Sequence, residues 1–269
     1  SFEVQQVWPR SPAQRADIRQ GDQLRVVDKV HLIEQSPLGV AELLKGPVGS
    51  TVTLKVWRSS KEVFRIFTLS REPLSQLALE HRRLPEGRHY IKLKLFRAGV
   101  ADDLENLLFK MKPKALILDL RDNPGGLFEE AVAVADLFLR QGMIVKVRGK
   151  AAQKWDKRYA NTRSTFTDYP MVVWINQGTA SSSEIVAAAL KEHKRAHLIG
   201  SKSFGKGSIQ TLIDLSDGSG LKLTIGHYFS PQGKFIEGRG VVPDEELAQD
   251  KAKDGPLLKR THAWFARHD

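Results

Sequence analysis

The sequence predicts an α/β protein, a largely parallel sheet with helices packed on it, preceded by a smaller α+β domain. Three observations carry this. From residue 90 onward apolar strand-like runs alternate with helical patterns, which right-handed crossovers turn into a parallel sheet. One of those runs, Ala115-Leu116-Ile117-Leu118-Asp119-Leu120, is almost wholly apolar, as a strand covered on both faces is. The charged stretch from Arg71 to Gly87, with Pro73 and Pro85, separates this pattern from a strand-rich segment before it. The expected domains are therefore 1–72 and 73–269.

In the first domain Phe2-Glu3-Val4-Gln5-Gln6-Val7-Trp8 alternates as a strand, and Pro9 with Pro12 ends it. Ser11 and Pro12 open a short helix to Ile18, and Gln20-Gly21-Asp22 turns the chain into the strand Gln23 to Asp28. Val40 to Leu44 reads as a second helix, and Gly46 to Gly49 as the turn before the strand Thr51 to Trp57. Over about residues 2–70 this segment resembles the middle of a PDZ domain, where a serine-proline-alanine turn leads through a glycine-aspartate pair into a strand. Asp17 stands where that family commonly has glycine, which aspartate tolerates in left-handed backbone. The family's first strand and glycine-rich carboxylate-binding loop are not present, although the fold it implies takes a peptide as an added edge strand.

In the second domain Tyr90 to Phe96 alternates as a half-exposed strand, and Val100 to Met111 is an amphipathic helix with Leu104, Leu107, Leu108 and Met111 on one face. The apolar strand 115–120 runs into Arg121-Asp122-Asn123-Pro124-Gly125-Gly126 and a helix from Leu127 to Arg140. Paired glycines at a strand-to-helix turn let backbone approach a ligand and aim N–H groups at an anion. A strand at 143–147, a long loop at 148–170, a strand at 171–175 and a helix at 182–193 follow, then a strand at 197–199. A hairpin turn is expected at Ser216-Asp217-Gly218-Ser219-Gly220, and the tail from Lys251 to Asp269 reads as a charged, solvated helix.

Composition narrows the chemistry. The absence of cysteine excludes disulfides, thiolate catalysis and cysteine-bound metals. No His pair has helical ligand spacing beside a carboxylate cluster, so neither a metal nor another cofactor is expected, and His227 reads as structural. The net charge of +11 suggests an affinity for something acidic, but scattered Lys and Arg without a recognition motif argue against nucleic acid. No apolar run reaches the length of a membrane span. The first residues already read as the inside of a domain, so further sequence is expected before Ser1.

The stretch from Asn176 to Gln210 holds the candidate chemistry. Ser181, Ser182 and Ser183 fall on the turn between the apolar run Met171 to Ile175 and an alanine-rich helix, beside unpaired helix N–H groups that can stabilise an oxyanion. A serine hydroxyl needs a base, and the basic residue set among glycines here is Lys206. Its ammonium, with a reference pKa of about 10.4, becomes a base near neutrality only when burial or other cations depress it. Two rival readings fail. Gly200 to Gly207 nearly matches a phosphate-binding loop, but Gly207 takes the place of the magnesium-binding hydroxyl and an extended segment follows. Ser203-Phe204-Gly205-Lys206 fits a Ser-x-x-Lys pattern, but glycines at 205 and 207 oppose the helix it requires.

Thr179-Ala180-Ser181-Ser182-Ser183-Glu184 and Ser203-Phe204-Gly205-Lys206-Gly207-Ser208-Ile209-Gln210 resemble the nucleophile and base motifs of the C-terminal processing peptidases, or tail-specific proteases. The resemblance implies Ser181 as nucleophile, Lys206 as general base and Gln210 as the residue that orients the lysine, at the family's spacing. Ser182 replaces the family's usual alanine, so the motif alone leaves the choice among three hydroxyls open; the register of Ala180 and Glu184 favours Ser181. Asp119 to Gly126 resembles the turn that supplies one oxyanion donor, Gly125 or Gly126, with Gly126 preferred and the N–H of Ser182 as second donor. The closing segments at 227–234 and 237–244 are also similar to that family. The resemblance further implies a core similar to the crotonase and ClpP folds and substrates cut near unstructured C-termini. It implies, too, a bacterial periplasmic or envelope location, self-association into a homo-oligomer, and a lipoprotein adaptor. A non-catalytic peptide-binding scaffold, and a protease inactive until an adaptor or peptide engages it, are the alternatives.

Overall fold

Val52, Leu54 and Val56 are buried along Thr51–Arg58 (β4) while the residues between them are not, the period-two burial of a strand with one covered face. The computed structural model describes residues 2–5, 7, 11–33, 35–72, 78–149, 155–161, 166–215, 220–247 and 254–268. The chain divides into two compact units, residues 1–77 with 210–223, and residues 78–209 with 224–269. The sequence pattern assigns 210–223 to the second domain, whereas the contacts group it with the first unit.

In the first unit β1 (Phe2–Glu3), β2 (Gln23–Val27), β4 and β5 (Val63–Ser70) form an antiparallel sheet in that order, with β3 (Val30–His31) paired to β2. The first strand is shorter than its alternating pattern suggests, and Trp8 and Pro9 lie outside the described residues. Both helices start on a serine followed by proline. Ser11 Oγ accepts from the Gln14 N–H ahead of α1 (Pro12–Arg15), and Ser36 Oγ from the Gly39 N–H ahead of α2 (Pro37–Leu44), each at 3.1 Å. Asp17 takes φ 66°. Ile18, Val27, Leu32, Val40, Val52, Leu54 and Val56 make the core. Beside them Arg58 donates Nε and Nη2 to the two Asp22 oxygens at 2.7 Å each, a fork in which both side chains are buried.

The second unit is built on a six-stranded sheet. Its order is β15 (Glu245–Glu246), β12 (His197–Gly200), β11 (Met171–Ile175), β8 (Ala115–Asp119), β7 (Arg88–Leu93), β6 (Leu79–Arg83). All pairs are parallel except β6 with β7. Alternate residues of these strands face two different cores. Ile91, Leu116, Leu118, Val173 and Leu198 meet α3 (Val100–Met111), α4 (Phe128–Asp136) and α5 (Ser182–Glu192). Tyr90, Ile117, Val172, Trp174 and Ile199 meet Leu257 and Phe265 of α6 (Asp254–Phe265).

Two expectations are corrected here. β7 is almost wholly buried rather than half-exposed, because α6 covers the face that alternation assigned to water. The terminal helix is accordingly a packed element with Leu257, Thr261 and Phe265 buried, not a solvated tail. The long loop after β9 (Met143–Gly149) contains a strand, β10 (Asp156–Tyr159), antiparallel to β9, whose other edge pairs with β14 (Gly220–Phe229). β13 (Ser208–Asp214) follows β14 in the order of this second sheet, and the turn expected at 216–219 lies outside the described residues. Among the described residues no helix is long and apolar enough to cross a membrane.

Candidate active site

The end of β11 is stitched to the end of β8. Every residue of β11 is buried, and the chain leaves it through Asn176, whose Oδ1 accepts from the N–H groups of Gly178 (3.0 Å) and Asp122 (2.9 Å). Thr179 Oγ1 donates to the Leu120 carbonyl at 2.8 Å, and Ala180 N–H to the Asn123 carbonyl at 3.0 Å. The serine turn and the glycine turn are thereby held as one body at the carboxyl ends of two parallel strands, where open sheets place their ligands.

Ser181 begins the helix in a backbone conformation that side chains rarely adopt, φ 56° and ψ −118°. Such residues persist only where the surroundings enforce them. The three hydroxyls also differ in what they do. Ser182 Oγ donates to the Gly126 carbonyl at 2.9 Å, and Ser183 Oγ to the Asn123 carbonyl at 3.0 Å. Both side chains are buried and committed to holding the glycine turn, whereas Ser181 is only half-buried.

The glycine turn is pinned from inside by Asn123, fully buried, which donates Nδ2 to the Leu93 carbonyl (2.8 Å) and accepts from the Gly125 N–H (2.9 Å). The Gly125 N–H is therefore occupied. Among the described residues the N–H groups of Gly126 and Ser182 donate to no acceptor. Glycine is required at both positions. A Cβ on Gly125 would stand 2.8 Å from Ser181 Cβ, and one on Gly126 would stand 2.3 Å from the Phe96 carbonyl oxygen.

The serine motif and the lysine motif meet on Glu184. This carboxylate is fully buried and takes four donors: Ser203 Oγ at 2.5 Å and Gly205 N–H at 2.7 Å on one oxygen, Ser181 N–H at 2.9 Å and Lys206 N–H at 2.8 Å on the other. Ser203 Oγ itself accepts from the Val241 N–H at 2.6 Å, so its proton points to Glu184. Burial raises the Glu184 pKa, and the four donors oppose that rise. Because Ser181 and Lys206 donate to one oxygen, their backbones lie within two hydrogen-bond lengths of each other. Sequence reading used Glu184 only to set the register of the serines. Its position three residues after Ser181, the spacing of a helix-start capping box, was the signal that it holds the turn.

Ser181, Ser182, Gly125, Gly126 and the Lys206 backbone are thus brought together. The Lys206 side chain is exposed, which differs from the buried setting expected for a lysine base. Gln210 is exposed on β13 and belongs to the first compact unit. Among the described residues no group of three His, Asp or Glu side chains could hold a metal ion.

Comparison with known proteins follows the same lines. Residues 89–247 match the model of peptidase family S41, and residues 3–58 that of the PDZ domain. The chain is 37% identical over 246 residues to a carboxyl-terminal-processing protease of Synechocystis sp., covering 89% of this chain and 57% of that protein. It is 36% identical over 257 residues to the chloroplastic carboxyl-terminal-processing peptidase 2 of Arabidopsis thaliana, covering 91% and 50%. It therefore spans about half the length of the curated relatives it matches. Among solved structures, a photosystem II D1 C-terminal processing protease aligns with TM-score 0.61 and 32% identity, over 93% of this chain and 69% of that one. With the family model matching more than half its residues, around a serine of rare backbone geometry that shares a buried carboxylate with the lysine turn, the chain belongs to peptidase family S41.

Proposed function

We propose that this chain is a serine endopeptidase that cuts protein substrates at or near their C-termini, with Ser181 as nucleophile and Lys206 as general base. One observation carries the reading: the backbones of Ser181 and Lys206 share one oxygen of buried Glu184. Ser181 Oγ attacks the scissile carbonyl while the neutral Lys206 amine takes its proton. The oxyanion that forms accepts from the Gly126 and Ser182 N–H groups, which have no other acceptor among the described residues. As the intermediate collapses, the lysine ammonium protonates the departing amine and leaves an acyl-enzyme. Water, deprotonated by the same lysine, then releases the acid and restores Ser181.

A lysine base works from a shielded pocket, so the reading requires bound peptide to cover the exposed Lys206 side chain. This favours, as second reading, a protease that stays inactive until a peptide or adaptor engages it. In the proposal Gln210 orients the lysine once that cover is in place. The core is of the crotonase and ClpP type, and the PDZ-like part receives unstructured C-termini. The protein works in a bacterial periplasm or envelope, self-associates, and takes a lipoprotein adaptor; the names of the bacterial and chloroplast relatives support the processing role.

The test is cleavage of an unstructured peptide with an apolar C-terminus, with and without a second peptide offered to the first unit. Ser181→Ala and Lys206→Ala should each abolish turnover, while Ser182→Ala should retain it within about 10-fold, since its hydroxyl only supports the glycine turn. Turnover surviving in Ser181→Ala overturns Ser181 as the nucleophile, and peptide binding without cleavage under every condition overturns the reading in favour of a scaffold.

A further inference from the structure

A second polar network lies beneath the glycine turn, on the face of the sheet away from α5. Asp119, at the end of β8, is fully buried and accepts from the Arg121 N–H and Nε at 2.9 Å each, from Arg121 Nη2 at 2.6 Å and from the Tyr90 hydroxyl at 2.7 Å. The same Nη2 donates to Asp254 Oδ1 at 2.7 Å, and Arg82 donates to the other Asp254 oxygen at 3.4 Å. Arg121 lies over the Trp174 ring, 4.8 Å from its centroid, and Trp174 Nε1 donates to Thr261 Oγ1 at 2.9 Å. Arg121 is thus gripped from two sides, by the carboxylate at the end of β8 and by one from the first turn of α6. The hydrogen bond from Arg121 lowers the Asp254 pKa, so the pair is charged at neutral pH.

Arg121 is also the first residue of the turn that ends in Gly126. Asp122 follows it at φ 59°, then Asn123, whose amide holds Gly125. The turn therefore has two supports: Asn123 and the serine hydroxyls on the α5 side, and the Arg121 guanidinium on the α6 side. Resting on the peptidase reading above, we propose that Asp254 is a positioning residue for the oxyanion donor: through Arg121 the C-terminal helix holds the 121–126 turn and sets the aim of the Gly126 N–H. An alternative in which Asp119 alone fixes Arg121 makes Asp254 dispensable, and the two are separable by experiment.

The variants are Asp254→Asn and Asp254→Ser, with Thr261→Val as a control that unties the same helix from Trp174 without touching the pair. Serine is a second, smaller replacement that removes the same charge, so Asp254→Ser is read if the asparagine variant does not fold. Peptide cleavage should show kcat lowered about 10-fold with KM within about twofold in both Asp254 variants, because a donor out of aim weakens the transition state and not substrate binding. Thr261→Val should keep kcat within about twofold. Amide hydrogen exchange of the peptide spanning 119–127 should rise about 10-fold in the Asp254 variants and not in Thr261→Val. Unchanged exchange in Asp254→Asn or Asp254→Ser, or an equal rise in Thr261→Val, overturns the proposal. Exchange is read on protein without substrate, so a wild-type chain that cleaves nothing under any condition sinks the peptidase reading while leaving this test decisive.

Discussion

At Glu184 a single carboxylate does the work of a joint. Its two oxygens take four donors from two chain segments, and the geometry suits the ionised form although burial favours the neutral one. Glu184→Gln keeps the shape but turns an amide NH2 toward one pair of donors, leaving buried N–H groups unsatisfied. The expected result is a loss of about 2 kcal/mol in urea denaturation, with kcat falling more than KM rises. Gly126→Ala should fail more completely. Its φ of 142° and a Cβ 2.3 Å from the Phe96 carbonyl require the turn to move, and turnover should be lost even where circular dichroism shows a folded protein. Ser181 was legible in the sequence as one of three hydroxyls. What singles it out is the use to which its neighbours are put, since Ser182 and Ser183 spend theirs on backbone carbonyls.

Among the elements, α6 departs furthest from its sequence pattern. Its polar residues suggest a solvated helix, yet Leu257 and Phe265 fill the core that Tyr90 and Trp174 face, and Trp174 hydrogen-bonds Thr261. Two buried apolar residues spaced along a polar helix are a weak signal in any window of sequence, and only the sheet face they cover gives them meaning. Phe265→Ala should cost about 3 kcal/mol through the cavity it leaves, measured by chemical denaturation; a cost below about 1 kcal/mol would show that the helix is only loosely docked. In the first unit the buried fork between Arg58 and Asp22 plays a comparable part. Arg58→Ala strands a buried carboxylate and should destabilise that unit by about 3 kcal/mol. The two short helices were readable from sequence because serine followed by proline is a local signal that needs no partner.

For the whole molecule, pH dependence follows from carboxyl groups shifted in opposite directions. Hydrogen bonds from Arg58 lower the Asp22 pKa and hydrogen bonds from Arg121 lower that of Asp254, whereas burial raises Glu184. A lowered value adds stability above the unfolded carboxylate pKa and loses it as pH falls through the folded one. A raised value does the reverse, its contribution being complete below the unfolded pKa and lost as pH rises through the folded one. Acidification from neutrality should therefore first relieve Glu184 and then remove the two ion pairs. The melting temperature should hold or rise slightly to about pH 5 and fall below about pH 4. Asp22→Asn should flatten that acid limb. Asp254, about half exposed, should contribute little to it because solvent screens the pair. A melting temperature that declines steadily from pH 7 would contradict the assignment.

The sequence by itself determined what depends on near neighbours along the chain. Strand and helix alternation, the capping serines, the glycine turn at 125 and 126, and the serine and lysine motifs are all patterns a few residues long, and the family follows from them. Tertiary structure alone decided which groups those patterns leave free. That the Gly125 N–H is taken by Asn123 while that of Gly126 is not, that Glu184 ties residue 181 to residue 206, and that α6 reaches Arg121 are contacts between segments far apart in sequence. Hydrogen-bond occupancy and burial depend on what folds against a residue from elsewhere in the chain, and no local pattern encodes that.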